Sequence, residues 1–245
     1  MTPEPAPRPQ LLRWLDEGTS VLRTELGKAD AAWVTGPSTL PGWTTAHLLT
    51  HLARNAEALN NLATWAATGV ETPMYPHGIE GRLADIEQGA HRSPEVILKD
   101  VHDTAIRLQR SLDELPDSAW SRKVRTAQGR LVPASLIPWL RIREVWIHLV
   151  DLDTGITFAA LPDDLATTLL PDVIATLAGR EDCPPLVIRS RAGGPTLTTA
   201  PAGASGQATE VEGTTADLLG WITGRAPGDH LTCSPPALPK LPAWL

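Results

Sequence analysis

The sequence predicts an α+β protein in which a four-helix bundle precedes a smaller mixed α/β domain. Up to about residue 158 the chain has long amphipathic stretches with few glycines, which is typical of helices. After about residue 182 it is rich in Gly, Thr, Ala and Pro, and its apolar runs shorten to strand length. We therefore expect a helical domain over residues 1–158 and a small α+β domain over residues 159–245.

Length and composition are those of a globular protein. The 245 residues suffice for one large or two modest cores, and 42% apolar with 20% charged residues excludes a disordered chain. A net charge of −7 without a basic block argues against nucleic acid or an anionic membrane as a partner. No apolar run reaches the roughly 18 residues of a membrane span. The first ten residues show no apolar signal segment, so we expect a cytoplasmic protein. Its oligomeric state is not indicated.

Four helices are predicted in the first domain, each bounded by residues that start or stop helices. Gly27, Gly69 and Pro116 follow three of the predicted ends, Thr44 or Thr45 can cap the start of the second helix, and Ser93 can cap the start of the third. The long connections after the second and third helices are where the mouth of a site could form. The helices are predicted over residues 10–25, 44–67, 94–114 and 135–152.

The second domain is predicted to mix short strands with two helices. The first helix covers residues 161–177, with a break or kink at Pro171. The proline-rich tail is expected to be pinned by Trp244. Cys183 and Cys233 lie far apart and are predicted to be buried thiols rather than a disulfide. The strands are predicted at 186–190, 196–199 and 208–212, and the second helix at 216–223.

The fourth helix carries a polar stripe. Its polar residues are spaced three or four apart and therefore share one face of an otherwise apolar helix. Such a stripe is either the solvent side of a surface helix or the lining of an internal polar site, and the spacing leaves both open. The stripe consists of Arg141, Glu144, His148 and Asp151.

The second helix places His47, His51 and Asn55 on one face, at spacings of four. A single histidine on such a helix is usually structural. Two histidines in register, opposite a Glu/His pair on another bundle helix, favour a metal site. Two imidazoles and one carboxylate suit Zn²⁺, and Fe²⁺ or Mn²⁺ less well, and leave coordination positions open.

Six segments are characteristic of one protein family: LPGWTTAHLLTHLARNAEAL (40–59), TPMYP (72–76), TAQGRLVPAS (126–135), REVWIHLVDL (143–152), TGR (223–225) and the terminal PAWL. They resemble the mycothiol-dependent maleylpyruvate isomerase family, within the wider DinB-like group of metal-binding four-helix bundles. The resemblance implies metal ligation by His51, Glu144 and His148, with His47 as a neighbour. It also implies a functional role for Arg225, which could instead be a structural cation at a helix end.

The reaction implied by the resemblance is the cis–trans isomerisation of maleylpyruvate to fumarylpyruvate in gentisate breakdown. Its cofactors would be zinc, or another divalent ion, and mycothiol. The metal would hold the mycothiol sulfur as a thiolate, which adds to the cis double bond, and elimination after rotation would give the trans product. Arg225 would stabilise charge on the neighbouring carbonyl or clamp a carboxylate.

Two other functions remain open at this point. A mycothiol S-transferase would use the same ligands on a different electrophile, and a non-catalytic regulatory bundle would need no open coordination position. The TPMYP and AQGR segments resemble the isomerase itself and favour isomerisation of a keto diacid. Tyr75 and Arg82, in the connection after the second helix, could reach the mouth of the site. Their roles, and the metal loaded, are not determined by the sequence.

Overall fold

The structure is a computed structural model that describes residues 6–200 and 208–244. It forms two compact units, Pro7–Thr154 and Gly155–Leu245, and confirms the predicted α+β class. The expected domain boundary between residues 158 and 159 stays a prediction. None of the described helices has the combination of length and apolar character that a membrane crossing requires.

The first unit contains the four predicted helices and two additional ones. α3 packs against α5 and α6, and α1 packs against α6, which gives the bundle its core. Leucines with no exposed surface line α3 on the side away from its polar residues, for example Leu48 and Leu52. The helices are α1 (Arg8–Leu26), α2 (Ala31–Thr35), α3 (Thr45–Thr68), α4 (Gly78–Ala90), α5 (Pro94–Asp113) and α6 (Ile137–Asp151).

α3 begins and ends at residues that satisfy its free backbone groups. The Thr44 hydroxyl accepts a hydrogen bond from the backbone N–H of His47, and the His47 Nδ1 accepts one from the backbone N–H of Thr44. Gly69 ends the helix with a φ of +78°, a conformation that glycine adopts without strain. These caps fix the helix that carries His51.

Two connections that were predicted to be loops are partly regular. α4 occupies most of the connection after the second helix, and a hairpin lies between α5 and α6. The hairpin pairs β1 (Lys123–Arg125) with β2 (Leu131–Pro133) in antiparallel register, with Val124 opposite Val132. Both side chains are buried, so the hairpin extends the core of the bundle.

The second unit packs two helices with a four-stranded sheet of order β4-β3-β5-β6. β3 and β5 are parallel, and the outer pairs are antiparallel. The β6 strand was not predicted. The elements are α7 (Asp163–Ala178), β3 (Leu186–Ser190), β4 (Leu197–Thr198), β5 (Thr209–Gly213), α8 (Thr215–Ile222) and β6 (Thr232–Ser234).

Two details of the second unit differ from expectation. α7 continues through Pro171, so the helix does not break there, and the kink predicted as the alternative stays a prediction. Buried Leu170 and Val173 flank the proline, and their burial outweighs the one missing backbone hydrogen bond.

Cys183 and Cys233 are free, as expected, but half-buried rather than buried. Trp244 is buried, as the tail prediction required.

Candidate metal centre

His51 on α3 meets Glu144 and His148 on α6. The Nε2 atom of His51 lies 2.8 Å from Glu144 Oε2 and 3.1 Å from His148 Nε2. The His148 Nε2 to Glu144 Oε2 distance is 3.4 Å. The polar stripe of α6 therefore faces the inside of the bundle, and the solvent-face interpretation is wrong for these residues.

The three side chains fit a divalent ion by a geometric criterion. In a tetrahedral zinc site with bonds of about 2.0–2.1 Å, neighbouring ligand atoms lie roughly 3.3 Å apart. The three separations, 2.8, 3.1 and 3.4 Å, bracket that value or fall up to about 0.5 Å below it, and the ligand atoms all fall within 4.8 Å of one another. Three protein ligands would leave one or two positions for an exogenous ligand. The cluster thus has the donor set of a catalytic rather than a structural zinc site.

Asp151 orients His148. Its Oδ2 lies 2.8 Å from His148 Nδ1, and the side chain has no exposed surface. A carboxylate at this place keeps the proton on Nδ1 and leaves the lone pair of Nε2 directed at the cluster. The Thr39 hydroxyl donates to the backbone carbonyl of Asp151 at 3.1 Å and anchors the end of α6. The sequence placed Asp151 in the stripe but gave it no role, although its i, i+3 spacing from His148 was visible.

Arg141, the first member of the stripe, has a structural role. It is 2% exposed and donates from Nη1 to the backbone carbonyl of Leu52 and to Asn55 Oδ1, both at 2.8 Å. Burial lowers the pKa of its guanidinium to about 10. Arg141 therefore joins α6 to α3 one turn before Glu144.

The charges in the cluster are strongly coupled. Burial alone would raise the pKa of Glu144, but hydrogen bonds to His148 and His51 hold it well below its usual value. Burial would lower the pKa of His148, but hydrogen bonds to Asp151 and Glu144 outweigh it, so the pKa is raised. Burial lowers the pKa of His51, and its bond to Glu144 opposes this only in part. The low pKa of Glu144 favours its anionic form, and the lowered pKa of His51 favours its neutral form.

The other predicted residues lie at different places. His47 caps α3 and its Nε2 lies 3.3 Å from Glu87, which supports a structural role. Arg225 follows α8 in the second unit, where its Nη1 donates to the backbone carbonyl of Thr223 at 2.7 Å.

Tyr75 and Arg82 line a cavity of about 310 Å³ in the first unit. Arg82 also reaches the cluster, since its Nη2 lies 3.0 Å from His51 Nδ1.

The fold and the cluster together define a helical-bundle protein with a candidate divalent-metal centre. The sequence model of the mycothiol maleylpyruvate isomerase N-terminal domain matches residues 15–153. The chain belongs to the mycothiol maleylpyruvate isomerase family.

Solved structures extend the likeness to almost the whole chain. Two are similar: the crystal structure of the mycothiol-dependent maleylpyruvate isomerase, and that of its mutant with one histidine replaced by alanine. Each is 35% identical to this chain, covers 98% of both chains and has a TM-score of 0.90. No curated protein sequence matches the chain.

Proposed function

We propose that this protein is a mycothiol-dependent isomerase that converts maleylpyruvate to fumarylpyruvate and uses a divalent metal ion, zinc, held by His51, Glu144 and His148. The observation that carries the proposal is the convergence of these three ligand atoms within 4.8 Å in a buried part of the bundle. Family membership and a likeness over 98% of the chain support the same activity. The substrate would be a small keto diacid.

The residues of the cluster prepare the site for thiol chemistry. When bound, the metal supplies a Lewis acid for a thiol sulfur, and mycothiol supplies the nucleophile whose reversible addition allows the cis double bond to rotate. Asp151 holds the His148 ring in the orientation that ligation needs. Glu144, whose pKa is low, provides a negative charge without first losing a proton. The cluster therefore needs little rearrangement to accept a cation.

Arg225 is proposed to act on the substrate. A guanidinium can form two parallel hydrogen bonds to a carboxylate or stabilise the charge that addition creates on a carbonyl oxygen. The hydrogen bond from Arg225 to Thr223 supports the competing structural role, because it ties the side chain to the end of α8. Substitution of Arg225 separates the two roles.

A cytoplasmic location is part of the proposal. Mycothiol is a reduced thiol cofactor, and both cysteines of the chain are free, which suits a reducing compartment. The proposed partners are accordingly small molecules, the keto diacid and mycothiol.

A turnover assay tests the proposal. Zinc-loaded protein is incubated with mycothiol and maleylpyruvate, and fumarylpyruvate formation is followed. We expect isomerisation that requires both zinc and mycothiol, with the mycothiol recovered unchanged. A stable thioether between mycothiol and an added electrophile, without isomerisation, would replace the proposal with an S-transferase. Zinc binding without any thiol chemistry would indicate a non-catalytic bundle.

A further inference from the structure

A polar cavity of about 310 Å³ lies in the first unit, beside the candidate metal centre. Arg82 lines the cavity and brings it next to the cluster, since its Nη2 lies 3.0 Å from His51 Nδ1. The volume is at the lower end of the range for small-molecule sites and suits one part of a larger ligand. A molecule held in the cavity is therefore a neighbour of the cluster.

The loop before α4 forms one wall of the cavity and is anchored at several points. The Asn61 side chain on α3 donates to the backbone carbonyls of Pro73 and Met74, at 3.2 and 3.3 Å. The Met74 Sδ accepts a hydrogen bond from the backbone N–H of Ala127 at 3.2 Å. Tyr75, the next residue, lines the cavity. These contacts fix the wall, which lowers the entropy cost of binding a ligand against it.

The charged groups of the cavity have both signs. Three are guanidinium groups, those of Arg54, Arg82 and Arg107, and two are carboxylates, those of Glu57 and Asp85. Glu57 lies 3.1 Å from Arg54 and 3.8 Å from Arg107. Burial is the main cause that raises the pKa of Glu57, and the charge of Asp85 adds to it. Because the two signs nearly balance, charge alone favours neither a dianion nor a cation in this cavity.

The hydrogen-bonding groups of the lining narrow the choice of ligand. Guanidinium groups only donate hydrogen bonds, carboxylates only accept them, and the amides of Asn60 and Asn61 do both. A hydroxyl group also does both, so it can bond to a carboxylate and a guanidinium at once. A dicarboxylate only accepts, and Glu57 and Asp85 would repel it, whereas an ammonium group would meet three guanidinium groups. The lining therefore matches an uncharged ligand with several hydroxyl groups.

We propose that this cavity binds the sugar part of mycothiol. Mycothiol joins an N-acetylcysteine, which carries the thiol, to a glucosamine–inositol unit that is uncharged and rich in hydroxyl groups. Asp85 and Glu57 accept hydrogen bonds from these hydroxyls, and Arg107 donates to them. The thiol end extends past Arg82 towards the cluster. This inference rests on the proposed function, because mycothiol is the thiol assigned there, and it disfavours the dianionic keto diacid as the occupant of this cavity.

The first test measures binding without any turnover. The probe is an analogue of mycothiol in which alanine replaces cysteine, so it has no sulfur to ligate a metal, and calorimetry measures its affinity for the zinc-loaded protein. Asp85→Ala should weaken binding about tenfold, because a charged acceptor of hydroxyl hydrogen bonds is lost. Glu80→Ala is the matched control, since Glu80 is also exposed on α4 but does not line the cavity. Its affinity should change by less than about twofold.

Two results of this titration would overturn the proposal. One is an analogue that does not bind to the wild type at millimolar concentration. The other is an affinity that Asp85→Ala leaves unchanged or that Glu80→Ala lowers by the same factor.

The second test uses the sign of the effect at the two kinds of wall. Arg107→Met removes donors, and a ligand with hydroxyl groups uses donors and acceptors, so both Arg107→Met and Asp85→Ala should weaken binding of the analogue. An anion held in the cavity would instead bind Asp85→Ala more tightly and Arg107→Met more weakly. Maleate, a cis dicarboxylate, is the probe for this case, and its affinity should change by less than about threefold in both variants.

Opposite changes in maleate affinity, with an unchanged affinity for the analogue, would make the cavity an anion site and overturn the proposal. Loss of analogue affinity in only one of the two variants would contradict a ligand that uses both kinds of group.

Kinetics separates this subsite from the isomerase assignment. If the wild type isomerises maleylpyruvate, Asp85→Ala should raise the KM for mycothiol about tenfold and leave the KM for maleylpyruvate unchanged. An unchanged KM for mycothiol would refute the subsite and keep the isomerase. A wild type that binds the analogue through Asp85 and Arg107 but does not isomerise maleylpyruvate would refute the proposed function and keep the subsite.

Discussion

The Nε2 atoms of His51 and His148 lie 3.1 Å apart, although the two residues are separated by 97 positions in the chain. Their rings meet edge to face, with centres 4.9 Å apart and planes at 89°. Buried contacts on the other faces of α3 and α6 fix the two helices and hold the two nitrogens close together. This preorganisation lowers the free energy needed to bring the ligand side chains into place when an ion binds.

Loss of one ligand should strongly weaken metal binding. We expect His51→Ala to weaken zinc binding by more than about 100-fold, beyond the 10–100-fold typical of outer-sphere partners. Isomerisation should fall in parallel. Zinc content after dialysis and the initial rate measure both effects.

His47→Ala is the matched control, one helical turn away. It should keep zinc and activity but lose the half of the capping box in which the His47 ring accepts from the backbone N–H of Thr44, at a cost of about 0.5–1 kcal/mol in the free energy of unfolding. Zinc binding by His51→Ala at the wild-type level would refute the metal centre, whatever its activity.

The affinity for zinc should depend on the protonation of His148. The pKa of His148 is raised above 6.5, so a proton competes with the ion below that pKa. Apparent affinity should therefore rise as the pH increases through the raised pKa and level off above it. Asp151→Asn removes a cause of the raised pKa, so the rise should move to lower pH, and the plateau should drop about tenfold. Competition with a chelator at each pH measures the curve, and identical midpoints for both proteins would contradict this account.

Gly18 allows α1 to approach α6 closely. A Cβ atom at this position would lie 2.6 Å from Nε1 of buried Trp146, which donates to the backbone carbonyl of Trp14 at 3.1 Å. Gly18→Ala should therefore destabilise the metal-free protein by about 1–2 kcal/mol, even after the gain in helix propensity. Urea unfolding measures the loss. Gly179→Ala is the control: its nearest neighbour, the Thr176 carbonyl oxygen, is 3.8 Å away, so its stability should change by less than about 0.5 kcal/mol.

Arg225→Ala separates the catalytic from the structural role of this residue. If Arg225 acts on the substrate, kcat should fall by about 100-fold or more while zinc content and the melting temperature stay unchanged. Arg225→Lys should restore only part of the rate, because an ammonium group cannot form paired hydrogen bonds. A lower melting temperature with normal kcat for the folded fraction would assign Arg225 to the end of α8.

The polar residues of α6 could be predicted because the helix is otherwise apolar. Glu144 and His148 stand out at i, i+4 among residues that are buried in the structure, and their spacing fixed a common face. The spacing did not show whether that face met solvent or α3, because the answer depends on how two helices pack. Asp151 was visible in the stripe, but its role depends on a 2.8 Å contact that only the folded helix end creates.

α4, and with it the position of Arg82, could not be predicted from periodicity. Ile79 and Leu83 are about half exposed, at 51% and 52%, and of the large apolar residues of this helix only Ile86, at 2%, lies on its inward face. Its contact with α3 depends instead on Gly89, where a Cβ atom would lie 2.4 Å from Thr50 Cγ2. The residues of the hairpin after α5 were equally hard to assign, because three-residue strands such as β1 are too short for a clear alternation.

α3 and α6 each have an apolar face that packs in the core and a polar face that carries the cluster. Residues such as Leu52 and Ile142 hold the two helices in place, and His51 and Glu144 lie on the polar faces of the same helices. Selection for folding and selection for reactivity therefore act on different positions of one pair of helices. A substitution at His51 or Glu144 would therefore change the chemistry of this pair of helices and leave the apolar contacts between them in place.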